Sequence, residues 1–268
     1  MTAETPIDLD AVRDGLEAAV SAAADAINQV LRQDVVRVGH KPGEGPVTEA
    51  DHAADDVLHD RLMPLIDDAH WLSEESRQQA PLIHGEPTWV VDPLDGTREF
   101  LRGLPEFGVS VGLFVGDRLV LGALAMPVQG EVMSGLIDGE RREARRDGQP
   151  MPQLPQGGVV ETVVVSRFDY EHRQLQRQIP YAVYPCGSAA VKLAHAADGE
   201  ADAYFSSGPR SVWDVAGGAA VLEATGGEVI TFDGEPLALS PSQIRVPPYV
   251  AGARESCLTL LRTLGAEV

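Results

Sequence analysis

Residues 89–91 have the pattern of a short buried strand, and this strand ends on two carboxylates, Asp92 and Asp95. Burying a charge without a partner is costly, so a strand should not end on two carboxylates unless something there binds them. Hard cations suit such oxygen ligands, and two Mg²⁺ ions can share one bridging carboxylate. The sequence therefore predicts a metal site at residues 92–97. The chain must fold so that these carboxylates can bind a cation.

The residues that follow Asp92 add further oxygen ligands and phosphate contacts. The Leu94 carbonyl can serve as a ligand, and Gly96 lets the backbone approach a bound molecule closely. If a helical turn begins here, Gly96 and Thr97 can offer amides to a phosphate, and the Thr97 hydroxyl can orient a water. Metals and phosphate contacts together are what two-metal displacement at phosphorus requires.

Three further acidic features stand out: Asp51 at the start of a predicted helix, the pair Glu74-Glu75 after apolar residues 71–72, and Asp214 directly after Trp213. Taken singly, each has a simpler explanation. An acidic residue at a helix start is usually a cap, and paired glutamates on a loop are usually solvated. Asp92 and Asp95 are harder to explain in this way, because they stand at the end of a buried strand.

Hydrophobic periodicity predicts a long amphipathic helix from Leu9 to Leu31 and a second helix capped by Thr48, with Asp51 completing a capping box. Strands over residues 107–115, 119–126 and 131–137 suit an antiparallel meander. After a Pro- and Gly-rich stretch at 148–158, strands and helices alternate. We therefore predict an α+β domain (1–150) that carries most metal ligands and an α/β domain (151–268) that supplies Asp214 and the specificity residues.

The net charge of −20 argues against nucleic acid and anionic membranes as partners. A phosphorylated substrate meets the same repulsion, so bound divalent metal would have to supply positive charge. No stretch approaches the roughly 20 apolar residues of a membrane span. Residues Met1 to Glu4 lack the features of a signal peptide, which predicts a cytoplasmic location.

Four ordered segments resemble the inositol monophosphatase superfamily of lithium-sensitive, magnesium-dependent phosphatases. They are Val47-Thr48-Glu49-Ala50-Asp51 with the preceding Lys41, Leu72-Ser73-Glu74-Glu75, Trp89-Val90-Val91-Asp92-Pro93-Leu94-Asp95-Gly96-Thr97, and Trp213-Asp214-Val215-Ala216-Gly217. The resemblance covers nearly the whole chain. It implies a layered α-β-α-β-α sandwich of the inositol monophosphatase and fructose-1,6-bisphosphatase type, and it leaves open whether the protein is a monomer or a homodimer.

Carried over position by position, the resemblance implies two or three Mg²⁺ ions. Glu74, Asp92 and the Leu94 carbonyl would hold one ion, and Asp92, Asp95 and Asp214 a second. Glu74 would also assist a weaker third ion. In this scheme Asp51 and Thr97 orient and deprotonate the attacking water. Inhibition by Li⁺ and Ca²⁺ is expected, since the longer bonds of Ca²⁺ would misplace that water.

The substrate is indicated by fewer residues. Arg98-Glu99-Phe100, Pro105-Glu106-Phe107 and Lys192 resemble the CysQ type of 3′(2′),5′-bisphosphate nucleotidase. We therefore expect hydrolysis of adenosine 3′,5′-bisphosphate to AMP and phosphate. The expected substrate contacts are Gly96, Thr97, Gly187, Ser188, Lys192, Arg210 and Asp214. Lys192 and Arg210 would bind a second phosphate, although a solvated helix lysine and an exposed, salt-bridged arginine are the alternatives.

Two alternatives remain open at this point. One is a phosphatase acting on inositol phosphates or fructose 1,6-bisphosphate, although Ser206 and Ser207 stand where inositol phosphatases usually place a glutamate. The other is a catalytically silent regulatory protein that binds metal or phosphate, which the acidic surface suggests. The presence of Asp51 and Thr97 speaks against the silent protein, because these residues serve chemistry more than binding.

Overall fold

Two helices pack together on one face of the largest sheet. A computed structural model describes residues 7–33, 35–41, 45–75 and 85–268; the side chain of Lys41 and the first residues, Met1 to Glu4, lie outside this described part. Helix α1 spans Leu9–Leu31 and helix α2 spans Glu49–Leu62, as the periodicity predicted. Their buried faces share one apolar cluster with the sheet. The intervening residues, predicted only as a break, carry a hairpin of β1 (Val38–Lys41) and β2 (Gly45–Thr48).

The largest sheet has seven strands in sequence order. They are β3 (His70–Ser73), β4 (Pro87–Asp95), β5 (Gly108–Val115), β6 (Arg118–Met126), β7 (Glu131–Asp138), β8 (Arg141–Arg146) and β9 (Gln149–Pro150). Strand β3 runs parallel to β4, and every later pair is antiparallel, which confirms the predicted meander.

A second sheet of five strands follows in the chain, with the order β11-β10-β12-β16-β14. Its strands are β10 (Thr162–Ser166), β11 (Ala182–Cys186), β12 (Ala203–Ser206), β14 (Glu228–Thr231) and β16 (Tyr249–Gly252). Two short strands, β13 (Arg210–Ser211) and β15 (Arg245–Val246), pair beside it. Its helices are α4 (Ala189–Asp198), α5 (Val212–Ala224) and α6 (Arg254–Thr263).

Alternating side chains of both sheets divide the apolar residues into separate layers. Val91 faces α1 and α2, whereas its neighbour Val90 faces α4 and α5. In the second sheet Val164 joins the α4–α5 layer, and Val163 points to the layer of α6. This period of two gives the predicted α-β-α-β-α sandwich, with α4 and α5 between the sheets. The division into domains 1–150 and 151–268 stays a prediction.

Glycines let helix α5 lie very close to the first sheet. A Cβ atom at Gly122 would lie 2.6 Å from Ala220 Cβ, and one at Gly135 would lie 2.3 Å from the Ala220 carbonyl oxygen. Backbone cannot move away as a flexible side chain can, so larger residues are excluded here. Ser110 on β5 donates a hydrogen bond of 2.9 Å to the carbonyl of Trp213, which ties the start of α5 to the same sheet.

We expect Gly135→Ala to lower the free energy of unfolding by about 1–3 kcal/mol, because the added methyl group overpacks the α5 contact. Urea unfolding followed by far-UV circular dichroism measures this loss. Gly157→Ala is the matched control, since no heavy atom lies within 4 Å of a Cβ built there. Equal urea midpoints for the two variants would contradict this account of the interface.

Candidate active site

The site is built at the end of β4. The sequence predicted a strand ending at Asp92, but β4 continues to Asp95, and its register with β5 shifts between these two residues. Such an irregularity re-aims side chains at a strand end. Gly96 then turns the chain with φ +100°, and the short helix α3 (Thr97–Leu101) begins. A Cβ at Gly96 would lie 2.7 Å from the Glu106 carbonyl oxygen, so glycine is needed here for backbone packing as well.

Three carboxylates from separate elements meet beside this turn. Oxygens of Glu74, Asp92 and Asp214 all lie within 4.8 Å of one another. Glu74 follows β3, and its backbone N–H donates to the Val91 carbonyl at 3.1 Å, which fixes it beside β4. Asp214 lies in the first turn of α5. The resemblance makes Asp92 a ligand of both ions, one shared with Glu74 and one with Asp214, and the structure gathers both carboxylates around Asp92.

Burial and repulsion both disfavour charge on this cluster. The pKa of Asp92 lies well above its usual range, first because the side chain is buried and then because Glu74, Asp95, Asp214 and Asp51 are nearby. Burial likewise raises the pKa of Asp214 to about 7, with further contributions from Asp95 and Glu74. Within the described part of the chain, no basic side chain forms an ion pair with Asp92 or Asp214. A set of close carboxylate oxygens around the buried Asp92 fits a hard divalent cation.

Asp51 and Thr97, the predicted water-activating pair, are in contact. Asp51 Oδ2 accepts hydrogen bonds from the Thr48 backbone N–H (2.7 Å) and the Thr48 hydroxyl (2.6 Å), as the predicted capping box requires. The Thr97 hydroxyl lies 3.1 Å from Asp51 Oδ1 and 3.2 Å from the Leu94 carbonyl oxygen. Burial raises the pKa of Asp51 although these hydrogen bonds oppose the shift. The pair therefore has the contact that a proton-accepting carboxylate and a water-orienting hydroxyl need.

A cavity of about 570 Å³ opens over the carboxylates. Its walls include many of the predicted site residues, namely Glu74, Asp92, Leu94, Asp95, Gly96, Thr97, Gly187, Arg210 and Asp214. Arg210 lies beside Asp214, and its Nε–H donates a long hydrogen bond of 3.5 Å to the Tyr204 hydroxyl. Among the described residues Arg210 forms no ion pair, so the salt-bridged alternative is wrong.

Both predictions for Lys192 are wrong. The side chain is fully buried rather than solvated. Its ammonium donates to the carbonyls of Cys186 (3.0 Å), Gly187 (2.8 Å) and Ser188 (2.7 Å), which uses its three N–H groups and leaves none for a substrate phosphate. Lys192 therefore stabilises the turn that precedes α4, a role that a sequence pattern cannot reveal because it depends on what covers the helix.

At the start of α4, the polar groups of Gly187 and Ser188, two of the expected substrate contacts, bind protein partners. The Gly187 N–H donates to Glu106 Oε2 at 2.9 Å, and the Ser188 N–H to the Glu106 carbonyl at 3.2 Å. The hydroxyl of the fully buried Ser188 donates to Asp95 Oδ2 at 2.7 Å. Gly187 lines the cavity, but the polar groups of this turn already have protein partners.

The end of β10 and the residues that follow it form a further part of the cavity wall, which the sequence did not predict. Ser166 ends this strand, and residues 169–173 form a single π-helical turn after it. Phe168 is 53% exposed, and the Arg173 guanidinium lies 5.7 Å from its ring centroid. Arg173 donates to Ser207 Oγ at 2.9 Å and pairs with Asp169 at 3.2 Å. Their place in the second half of the chain, where strands and helices alternate, was the available signal, since ligands often bind after the carboxyl ends of strands in such folds.

Comparison with known proteins shows the family. The family model described as "Inositol monophosphatase family" matches residues 8–262. The 3′(2′),5′-bisphosphate nucleotidase CysQ of Escherichia coli K12 is 34% identical over 237 residues, covering 84% of this chain and 93% of that protein. Inositol monophosphatase 3 of Solanum lycopersicum is 29% identical over 245 residues, covering 85% and 90%. The suhB extragenic suppressor protein of Bartonella henselae superimposes with a TM-score of 0.81 at 22% identity, covering 96% and 100%.

The pKa of Asp214 predicts how pH affects the metal-free protein. Between its usual pKa of 3.8 and its folded value of about 7, the folded state binds a proton that the unfolded state lacks. This carboxyl therefore stabilises the fold at low pH, and its contribution is lost as pH rises through about 7. A divalent cation competes with that proton, so its affinity should fall by about tenfold per pH unit below 7 for each proton displaced.

Thermal unfolding with and without MgCl₂, at pH 5.5 and at pH 8, tests this expectation. The rise in Tm caused by the metal should be larger at pH 8. In the Asp214→Asn variant, which keeps a carbonyl oxygen for the Ser211 N–H, the metal effect should shrink at pH 8. A metal effect that is independent of pH in the native protein would contradict the assignment.

Proposed function

This chain belongs to the inositol monophosphatase family and is a phosphatase, and we propose that within this family it hydrolyses adenosine 3′,5′-bisphosphate to AMP and phosphate. The relative at 34% identity is named a 3′(2′),5′-bisphosphate nucleotidase. Family membership shows that the chain is a phosphatase. The proposed substrate is argued from the residues that line the cavity.

The observation that carries the proposal is that the carboxylate cluster and an aromatic side chain line the same cavity of about 570 Å³. Phe168 is 53% exposed, its ring stacks on His172 with centroids 4.7 Å apart, and the Arg173 guanidinium lies 5.7 Å from its centroid. Nucleobases stack on aromatic rings and on guanidinium groups, so a base can add to this stack. An inositol or sugar phosphate has no planar group to use this wall.

Arg210 supports a second phosphate on the substrate. Among the described residues, Arg210 lies near the Asp214 carboxylate but forms no ion pair, and its hydrogen bonds go to the Tyr204 hydroxyl and the Pro209 carbonyl at 3.5 and 3.4 Å. Its fork of N–H donors matches phosphate oxygens. With Lys192 removed from consideration, Arg210 is the residue we assign to the phosphate that is not cleaved.

We assign Mg²⁺ to the carboxylate cluster, in two or three positions held by Glu74, Asp92, the Leu94 carbonyl, Asp95 and Asp214. When bound, the metal would neutralise phosphate charge and lower the pKa of a water molecule. The Thr97 oxygen can accept a hydrogen bond from that water while its own hydroxyl donates to Asp51, and Asp51 can take up the proton. Gly96 and Thr97 would offer backbone amides to the phosphate that is cleaved.

The second candidate is a phosphatase of inositol or sugar phosphates, including fructose 1,6-bisphosphate. It is favoured by the 29% identity to the protein named inositol monophosphatase 3. This candidate uses the same carboxylates and leaves Phe168 and Arg210 without a function. None of the described helices is long and apolar enough to cross a membrane. A cytoplasmic location and a homodimer stay predictions.

Turnover of adenosine 3′,5′-bisphosphate and of inositol 1-phosphate by one preparation decides between the candidates. We expect a clear preference in kcat/KM for the nucleotide. Phe168→Ala should raise KM for the nucleotide by about tenfold, because base stacking contributes about 1–3 kcal/mol, and should leave inositol phosphate turnover unchanged. Phe168→Tyr is the matched control that keeps the ring. A preference for inositol phosphate in the native protein would exclude the nucleotidase assignment.

The metal assignment makes a separate prediction. Asp95→Asn should abolish turnover and leave Tm nearly unchanged, because the substitution removes a charged ligand and preserves the side chain's shape. Turnover should require Mg²⁺ and be inhibited by Ca²⁺ and by excess Li⁺. Phosphate release assays across these ions measure the requirement, and near-native activity of Asp95→Asn would refute the proposed ligand set.

A further inference from the structure

We infer that Ser188, at the start of α4, is a positioning residue that holds the Asp95 carboxylate in place as a metal ligand. The inference rests on the metal ligand set proposed above and is independent of which phosphate ester is the substrate. It replaces the direct substrate contact that the sequence suggested for Ser188.

Two donors fix one oxygen of Asp95. Asp95 Oδ2 accepts the Ser188 hydroxyl at 2.7 Å and the Ala190 backbone N–H at 2.7 Å. Two hydrogen bonds occupy the lone pairs of that oxygen, so Oδ1 is the atom left for a cation. Asp95 lines the cavity, and its charge acts on Asp92 and Asp214. Asp95 is not one of the three residues whose oxygens lie within 4.8 Å of one another, but it lines the same cavity with one oxygen available.

The Ser188 hydroxyl has a defined direction, because its oxygen also accepts the Val191 N–H at 3.0 Å as the N-cap of α4. Its single hydrogen is then free to donate to Asp95. The side chain is fully buried and is absent from the cavity walls. A direct contact with substrate is therefore excluded by its position, and its effect on the reaction must pass through Asp95.

Hydrogen bonds from two directions stabilise the turn that contains Ser188. Glu106, from the first half of the chain, accepts the Gly187 N–H with its side chain and the Ser188 N–H with its carbonyl. Arg167 donates to the same carboxylate at 2.9 Å through Nε. From the other side, the Lys192 ammonium binds the carbonyls of residues 186–188. Such outer contacts preorganise a ligand and typically change metal affinity by about 10–100-fold.

Ser188→Gly is the most direct test, because glycine at an N-cap costs only a few tenths of a kcal/mol of helix stability but lacks the hydroxyl. Titration of metal-free protein with MgCl₂ by calorimetry should show affinity weakened by about tenfold. KM for the phosphate ester at saturating Mg²⁺ should be unchanged. Ser188→Thr, which keeps the hydroxyl, should restore Mg²⁺ binding.

Two controls separate positioning from general damage. Ser256→Ala removes a buried hydroxyl of α6 that donates to the Val159 carbonyl at 3.0 Å, away from the cavity, and should leave Mg²⁺ binding unchanged. In an Asp95→Asn background, Ser188→Gly should cause no further loss of Mg²⁺ affinity.

Native Mg²⁺ affinity in Ser188→Gly would overturn the inference, whether or not KM rises. An equal further loss in the Asp95→Asn background would also overturn it, because Ser188 would then act through the fold. A native protein that binds Mg²⁺ but does not cleave the nucleotide would refute the proposed substrate alone.

Discussion

Mutual repulsion of buried carboxylates is the constraint on which this structure depends. Asp92 is 2% exposed and lies close to four other acidic side chains, which no folded chain would assemble without compensation. Four aspartates are stabilised in the same way against this repulsion. One carboxylate oxygen of each accepts a hydrogen bond from a backbone N–H. The donors are Thr48 for Asp51 (2.7 Å), Leu94 for Asp92 (3.0 Å), Ala190 for Asp95 (2.7 Å) and Ser211 for Asp214 (3.0 Å).

Three of these donors lie at the starts of helices α2, α4 and α5, whose positive dipole ends favour a nearby anion. The helices come from both halves of the chain, so the site requires the whole sandwich. The glycines beneath α5 let the helix lie close to the first sheet, and the Ser110 hydrogen bond to Trp213 ties its first turn to β5. Asp214 reaches Asp92 because this interface is tight. The packing of small residues therefore determines the geometry of the carboxylates.

The features that the sequence predicted correctly are those that local interactions determine. The capping box of Asp51 is such a case, since residues three apart at a helix start must meet. Features that depend on tertiary packing were not predicted. Lys192 is an unremarkable helix lysine in the sequence, and only the packing of α4 between two sheets shows that its charge is buried. Strand β8 was missed because its arginine-rich sequence has almost no apolar alternation, and the C-terminal elements β16 and α6 were missed as well, although α6 has a distinct apolar face.

The same packing explains why metal must precede substrate in the proposed reaction. A phosphate dianion approaching a protein of net charge −20 meets the carboxylate cluster in the cavity. Arg210 attracts phosphate nearby, but Arg167 and Arg173 are already paired with the carboxylates of Glu106 and Asp169. Without a cation the carboxylate cluster repels phosphate, and with cations it becomes the strongest anion site in the cavity. Whatever holds Asp95 in position therefore affects phosphate binding only through the occupancy of the metal site, although it never touches the substrate.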